Sequence, residues 1–174
     1  MSHTVVIYAH PYPDRSRANR VLFDAVKSLP NVDARPICDL YPDFAIDVEA
    51  EQAALLRADL IVWQHPIYWY TVPAMLKLWW EKVLTHGWAY GDGARVLSGK
   101  RCLWVTTTGG DASAYDEGGM HAHPFSVYEP VVRQTARFCH MHWLEPLIIH
   151  GAHRMNDEQR AAYATLYRER LGAR

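Results

Sequence analysis

LIVWQHPIYWYTVPAMLKLWWEKVLTHGWAYG, from Leu60 to Gly91, reads as a strand, an aromatic elbow and a helix in direct succession. Leu60 to Trp63 is a short apolar run with β-branched residues, the pattern of a strand buried on both faces of a parallel sheet, and Pro66 stops it. Pro73 stands where a helix can begin, because its missing N–H has no partner to lose in a first turn. Behind it Leu76, Trp79, Trp80 and Val83 recur at helical spacing. Between strand and helix lies the elbow Ile67, Tyr68, Trp69, Tyr70. Open α/β sheets bind ligands at the carboxyl ends of their strands, and three large aromatic side chains on such a loop point to one.

The alternation extends in both directions. Strand-like runs fall at Thr4 to Ala9, Val32 to Cys38, Leu60 to Trp63, Arg101 to Thr107 and Trp143 to His150. Helical stretches at Arg17 to Leu29, Val48 to Ala58, Pro73 to Thr85, Phe125 to His140 and Asn156 to Leu171 fill the gaps. Five βα units predict an α/β three-layer sandwich with a five-stranded parallel sheet, and right-handed crossovers make 2-1-3-4-5 the leading strand order. Asn156 is a plausible cap of the last helix, with Glu158 in its first turn and Arg168 and Arg170 in its last. No repeat or linker divides the chain, so residues 1–174 are expected to form one domain.

A hydrophobic content of 49% suffices for a core without disulfides or a structural metal. The formal net charge of -1 gives no electrostatic case for nucleic acid or an anionic membrane. Cys38, Cys102 and Cys139 are odd in number and form no CxxC, as in a reduced compartment. MSHTVVIYAHP is no secretory signal, and nowhere do about 18 apolar residues run together. A cytoplasmic protein is expected, peripheral at a membrane only through a partner.

In this winding the loops after strands one, three and four meet at one edge of the sheet. The first, HPYPDRSRANR, is held extended by Pro11 and Pro13 before Ser16 and Asn19 open a helix. Exposed N–H groups, the helix dipole, Ser16, Asn19 and Arg15 or Arg17 suit a phosphate monoester. The competing reading is that Ser16 only caps its helix. Neither GxGxxG nor GxxxxGK[ST] is present, which disfavours a dinucleotide Rossmann site and a nucleoside triphosphatase. The third loop, TTTGGDASAYDEGGMHAHP from Thr106 to Pro124, brings Gly109 and Gly110 close to a ligand edge and carries Tyr115 and His121 six residues apart. A phenol backed by an imidazole can move a proton or steady an anion near neutral pH, although both residue types are also common and inert on surface loops.

Together YAHPYPDRSRANR, LYPDFAID (Leu40 to Asp47), ADLIVWQHPIYWYTVPAMLKLWWEKVLTHGWAYG (Ala58 to Gly91) and TTGG (Thr107 to Gly110) resemble the flavodoxin-like NAD(P)H:quinone oxidoreductases over nearly the whole chain. Within that family they are most similar to the ancillary subunits of glutathione-regulated potassium-efflux systems. The resemblance implies two-electron, ping-pong transfer from NAD(P)H through a flavin to a quinone. It would place His10 with Ser16, Arg17, Ala18 and Asn19 on the ribityl phosphate, Ile67, Tyr68, Trp69 and Tyr70 against the ring, and Thr107, Thr108, Gly109 and Gly110 at the pyrimidine edge. Trp69 and its neighbours would wall the flat ring. Tyr115 and His121 match a catalytic pair of similar quinone reductases.

DASAYDEGGMHAHP is closer to the two-electron reductases than to the potassium-efflux subunits. The chain stops soon after its fifth helix, which favours FMN with FAD as the alternative. A homodimer is implied by the family and fits the tryptophan-rich segment, for which a densely aromatic core is the competing explanation. The other function class is a regulatory flavoprotein that binds and activates a membrane potassium antiporter. Close histidine pairs, His121 with His123, His140 with His142 and His150 with His153, lack HExxH or CxxC company, so no metal site is assigned. A serine hydrolase would need the GxSxG elbow, which is absent.

Overall fold

A computed structural model describes residues 2–172. The chain runs β1 (Thr4–Tyr8), α1 (Ala18–Val26), β2 (Val32–Pro36), α2 (Ile37–Leu40), α3 (Val48–Arg57), β3 (Leu60–Pro66) and α4 (Ala74–Val83). It continues through β4 (Arg101–Thr107), α5 (Glu129–Phe138), β5 (His142–Trp143), β6 (Leu147–Ile149) and α6 (Asp157–Arg170). The strands are parallel in the order β2-β1-β3-β4-β5, with β6 also paired to β4. The expected 2-1-3-4-5 winding is therefore present, with its fifth strand in two pieces.

Alternation explains the layers. Val5, Ile7, Ile61, Trp63, Cys102 and Trp104 pack on one face against α3, α4 and α5. Val6, Tyr8, Leu60, Val62, Leu103 and Val105 pack on the other against α1 and α6. A strand whose successive residues are all buried needs helices on both sides, which is why the apolar runs showed little alternation in sequence. Trp63, Trp79, Trp80 and Trp104 are all buried within this one chain. The aromatic-core explanation thus accounts for them, and only Trp69, among the tryptophans of the 60–91 segment, is left largely in solvent.

Two boundaries differ from the sequence expectation. Strand β2 ends at Pro36, and Ile37–Leu40 turns into a short helix that the run Val32 to Cys38 concealed. The run Trp143 to His150 is interrupted because Cys102 pairs with Trp143 and Val105 with Leu147, so the outer strand carries one more residue than β4 over that interval. This is a bulge, and Pro146 within it has no N–H to offer the ladder. The last helix has the cap expected of Asn156, whose side chain accepts from the Gln159 N–H while the Gln159 side chain accepts from the Asn156 N–H.

Buried polar groups fix the layers. Glu51 of α3 is fully buried; its Oε1 accepts from Arg35 Nε and Nη2 at 2.8 and 2.6 Å and from the Tyr41 hydroxyl at 2.6 Å. Its Oε2 accepts from Trp79 Nε1 at 2.9 Å, tying α3 to α4. Tyr41 belongs to LYPDFAID, which therefore has a structural use. On β3, His65 is fully buried; Trp104 Nε1 donates to its Nε2 at 2.7 Å, and its Nδ1 lies 2.9 Å from the Pro66 carbonyl. These partners select the neutral Nδ1–H form.

Burial pushes the His65 pKa down to about 4. An unfolded histidine binds its proton near pH 6.5, so stability is complete above that value and falls as pH drops toward 4. His65 is expected to contribute about 3 kcal/mol to that loss. Urea unfolding across this range should show a shallower pH dependence for His65→Gln than for the wild type. Equal losses in the two proteins would assign the acid sensitivity elsewhere.

Candidate functional site

The carboxyl ends of β1, β3 and β4 converge because all three run in the same direction and in close register. Their loops enclose a cleft of about 510 Å³, within the range of small-molecule sites. Of the residues singled out in sequence, His10, Ser16, Arg17, Ala18, Asn19, Ile67, Tyr68, Thr107, Thr108 and Gly109 line it. Trp69, Tyr70 and Gly110 do not. Tyr12, Arg15, Pro66, Ala152 and His153 line it as well.

At one end, α1 begins at Ala18 without a side-chain cap on Arg17. The backbone N–H groups of Arg17, Ala18 and Asn19 have no acceptor among the described residues, and the helix dipole adds to their attraction for an anion. The Ser16 hydroxyl accepts from the Arg20 N–H at 3.2 Å and still has its own proton to donate. Capping and anion binding are thus compatible. His10 is buried, which lowers its pKa, and its Nδ1 accepts from the Tyr12 N–H at 3.1 Å. The neutral ring therefore carries its proton on Nε2.

The Asn19 side chain, expected from sequence to be a donor to a ligand, commits one of its two amide N–H groups within the protein. Its Nδ2 donates to Thr107 Oγ1 at 2.6 Å, and the backbone carbonyl of Asn19 accepts from Gln64 Nε2 at 2.9 Å. Asn19 is a strut joining the start of α1 to the ends of β3 and β4. Asn19 Oδ1 and Gln64 Oε1 are buried acceptors without a donor among the described residues.

The elbow is a tight turn. Tyr68 and Thr71 exchange backbone hydrogen bonds of 3.1 and 3.0 Å, leaving Trp69 and Tyr70 as central residues at φ 47° and 64°. Such a turn normally takes Asn-Gly, and left-handed backbone costs other residues roughly 1–2 kcal/mol each. Tyr70 regains contacts by stacking on Tyr128 at 5.2 Å and meeting the edge of His121 at 5.5 Å. Trp69 is 89% exposed. It is not among the residues that line the cleft, whereas Ile67 and Tyr68 are.

Tyr115 and His121 are brought together, their rings stacked at 4.4 Å. Both lie over Gly110, where an added Cβ would meet His121 Nε2 at 3.3 Å and Tyr115 Cε2 at 3.5 Å. Burial raises the Tyr115 pKa, so the phenol keeps its proton at neutral pH. The loop after β6 completes the rim, and the sequence reading left it out. The exposed His153 ring sits 3.1 Å from where a Gly109 Cβ would be, so it adjoins the turn after β4 closely. Its position at the end of a parallel strand was the available signal. Among the described residues no three His, Cys, Asp or Glu side chains converge on a metal site, and no helix is long and apolar enough to cross a membrane.

The family of flavodoxin-like fold designated Flavodoxin_2 matches residues 2–171. A glutathione-regulated potassium-efflux system ancillary protein KefF from Enterobacter sp. (strain 638) is 49% identical over 168 residues, which are 96% of this chain and 94% of the relative. Among solved structures, a thermophilic tryptophan halogenase from Streptomycin violaceusniger is 35% identical with a TM-score of 0.91, covering 96% of this chain and 97% of the other. General stress protein 14 from Treponema denticola, in complex with FMN, is 30% identical with a TM-score of 0.87 over 98% and 96% of the two chains. An NADPH-quinone reductase from P. pentosaceus is 28% identical with a TM-score of 0.86 over 96% of each.

Because Trp69 combines exposure with a left-handed backbone, Trp69→Asn should stabilise the ligand-free protein by up to about 1 kcal/mol. Urea denaturation measures this, and a destabilised variant would show that the turn is not strained.

Proposed function

The chain belongs to the flavodoxin-like-fold family Flavodoxin_2, and on that premise we propose that it is a flavin-dependent NAD(P)H:quinone oxidoreductase with FMN as its cofactor. The observation that carries this reading is the cleft's division of labour. Unpaired N–H groups of residues 17–19 occupy one end, Ile67 and Tyr68 the middle, and Thr107 to Gly109 another edge. A phosphate, a broad apolar ring and a polar rim require that set of surfaces. Asn19 Oδ1, a buried acceptor on the cleft without a donor among the described residues, suits a ribityl hydroxyl. FMN in the Treponema denticola relative supports the choice over FAD.

When bound, the flavin supplies two-electron chemistry, accepting a hydride from NAD(P)H and passing it to a quinone in a ping-pong sequence. The chain's residues supply the rest. Arg17, Ala18 and Asn19 N–H groups and the Ser16 hydroxyl hold the phosphate, with His10 Nε2–H as a further donor. The Thr107 hydroxyl, which accepts from Asn19 and keeps its own proton, and the Gly109 N–H would give donors to the pyrimidine edge. Tyr115 holds its phenolic proton, and stacked His121 can steady or exchange charge beside it. In this reading a single flavin-binding domain works as a homodimer, with the exposed elbow at Trp69 beside the shared site.

Purified protein should be yellow or become so with FMN, and should oxidise NAD(P)H only when a quinone is present. Tyr115→Phe and His121→Ala are each expected to slow flavin reduction about tenfold to a hundredfold with FMN still bound, as stopped-flow absorbance would record. Unchanged rates in both would remove the pair from the chemistry. A colourless protein that binds no flavin and turns over no quinone would end the proposal.

A regulatory role on a membrane potassium antiporter has its own support in the potassium-efflux relative, which matches almost its full length. Potassium efflux from cells with and without this protein tests it. A variant that has lost flavin yet still activates efflux would make turnover incidental to that role.

A further inference from the structure

His150 follows β6 and lies outside every residue set assigned above. Thr108, buried at the end of β4, has a hydroxyl that donates to the Gly110 carbonyl at 2.7 Å and lies 3.0 Å from His150 Nδ1. A hydroxyl has one proton. With that proton committed to Gly110, the contact with His150 is a hydrogen bond only if Nδ1 is the donor. The ring is held for this task by Tyr115 and Phe125, each with its centroid 5.3 Å away. Burial lowers the His150 pKa, which is consistent with a neutral ring.

Backbone bonds reinforce the same join. Thr108 N–H donates to the Ile149 carbonyl at 2.9 Å, Ala152 N–H to the Thr108 carbonyl at 2.9 Å, and Gly151 N–H to the Gly110 carbonyl at 2.8 Å. Gly151 is at φ 68°, and a Cβ there would stand 2.5 Å from Asp111 Oδ1. Asp111 also pairs with Arg154. The turn from Thr107 to Gly110 is therefore clamped from behind by the loop after β6, and His150 provides that clamp's side-chain bond.

We propose that His150 is a positioning residue which, through Nδ1–H donated to the Thr108 hydroxyl, fixes the turn that meets the flavin and seats Tyr115 and His121. The inference rests on the flavin reading of the cleft only for its consequence. The tautomer and the clamp belong to the protein alone.

Long-range proton–nitrogen NMR spectra of flavin-free protein, with the His150 ring assigned by its loss in His150→Asn, should show a protonated Nδ1 and a bare Nε2. FMN titrations should show about tenfold weaker binding for His150→Leu, and near-normal binding for His150→Asn, whose amide can replace the donor. In a Thr108→Val background, His150→Leu should cost nothing further. An Nε2–H tautomer would overturn the inference. So would undiminished FMN binding by His150→Leu, failure of His150→Asn to restore it, or a loss that adds fully to that of Thr108→Val. If the wild type binds no FMN, the flavin reading fails while the spectra still decide the clamp.

Discussion

The strut centred on Asn19 is the constraint on which the site depends. Its amide reaches Thr107 at the end of β4, and its backbone carbonyl receives Gln64 of β3, while the residue itself opens α1 behind β1. Three segments distant in sequence are thereby held at one depth. Each bond alone adds little net stability, but breaking either would leave a further buried polar group unpaired, which couples the three segments. The free N–H groups at the start of α1 can then face a space whose opposite walls are already set.

Energy is distributed unevenly around that space. Behind it, Glu51 and His65 are satisfied by short, directional bonds from several elements, giving a rigid support. At its mouth two aromatic residues occupy a backbone conformation that favours glycine or asparagine. Strain held by a stiff scaffold is typical of places where a ligand is received. Tyr70 recovers part of the cost through Tyr128 and His121, so the elbow and the loop after β4 share one aromatic cluster although only the neighbouring Ile67 and Tyr68 line the cleft.

Much of this was legible in the chain because it is local. The apolar runs of β1, β3 and β4, the period of α4, and the Asn156 cap each depend on neighbours a few residues away. The winding followed from their alternation, and the cleft from where parallel strands end. What escaped was decided by distant partners. Asn19 looked like a donor to a ligand, but one N–H of its amide is held by Thr107, 88 positions later. Trp69 looked like a wall of the site, and spacing alone gave no sign that its backbone is left-handed and its ring largely exposed. His150 and His153 read as scattered histidines because spacing alone cannot tell that they adjoin Thr108 and Gly109. Composition likewise could not separate a tryptophan-rich core from a tryptophan-rich interface.

The bulge in the outer strand has a consequence for how such a chain can vary. Its two halves are locked to β4 separately, His142–Trp143 near one end and Leu147–Ile149 near the other, with Leu144 to Pro146 between them. Removing one residue from that interval would let pairing run on without a fault and would leave the same side chain beside Thr108. Length is thus negotiable between Trp143 and Leu147 and fixed beyond it, where each residue is in register with the turn it supports. Lineages descending from such a chain can gain or lose a residue on one side of this boundary while the frame of the cleft stays constant on the other.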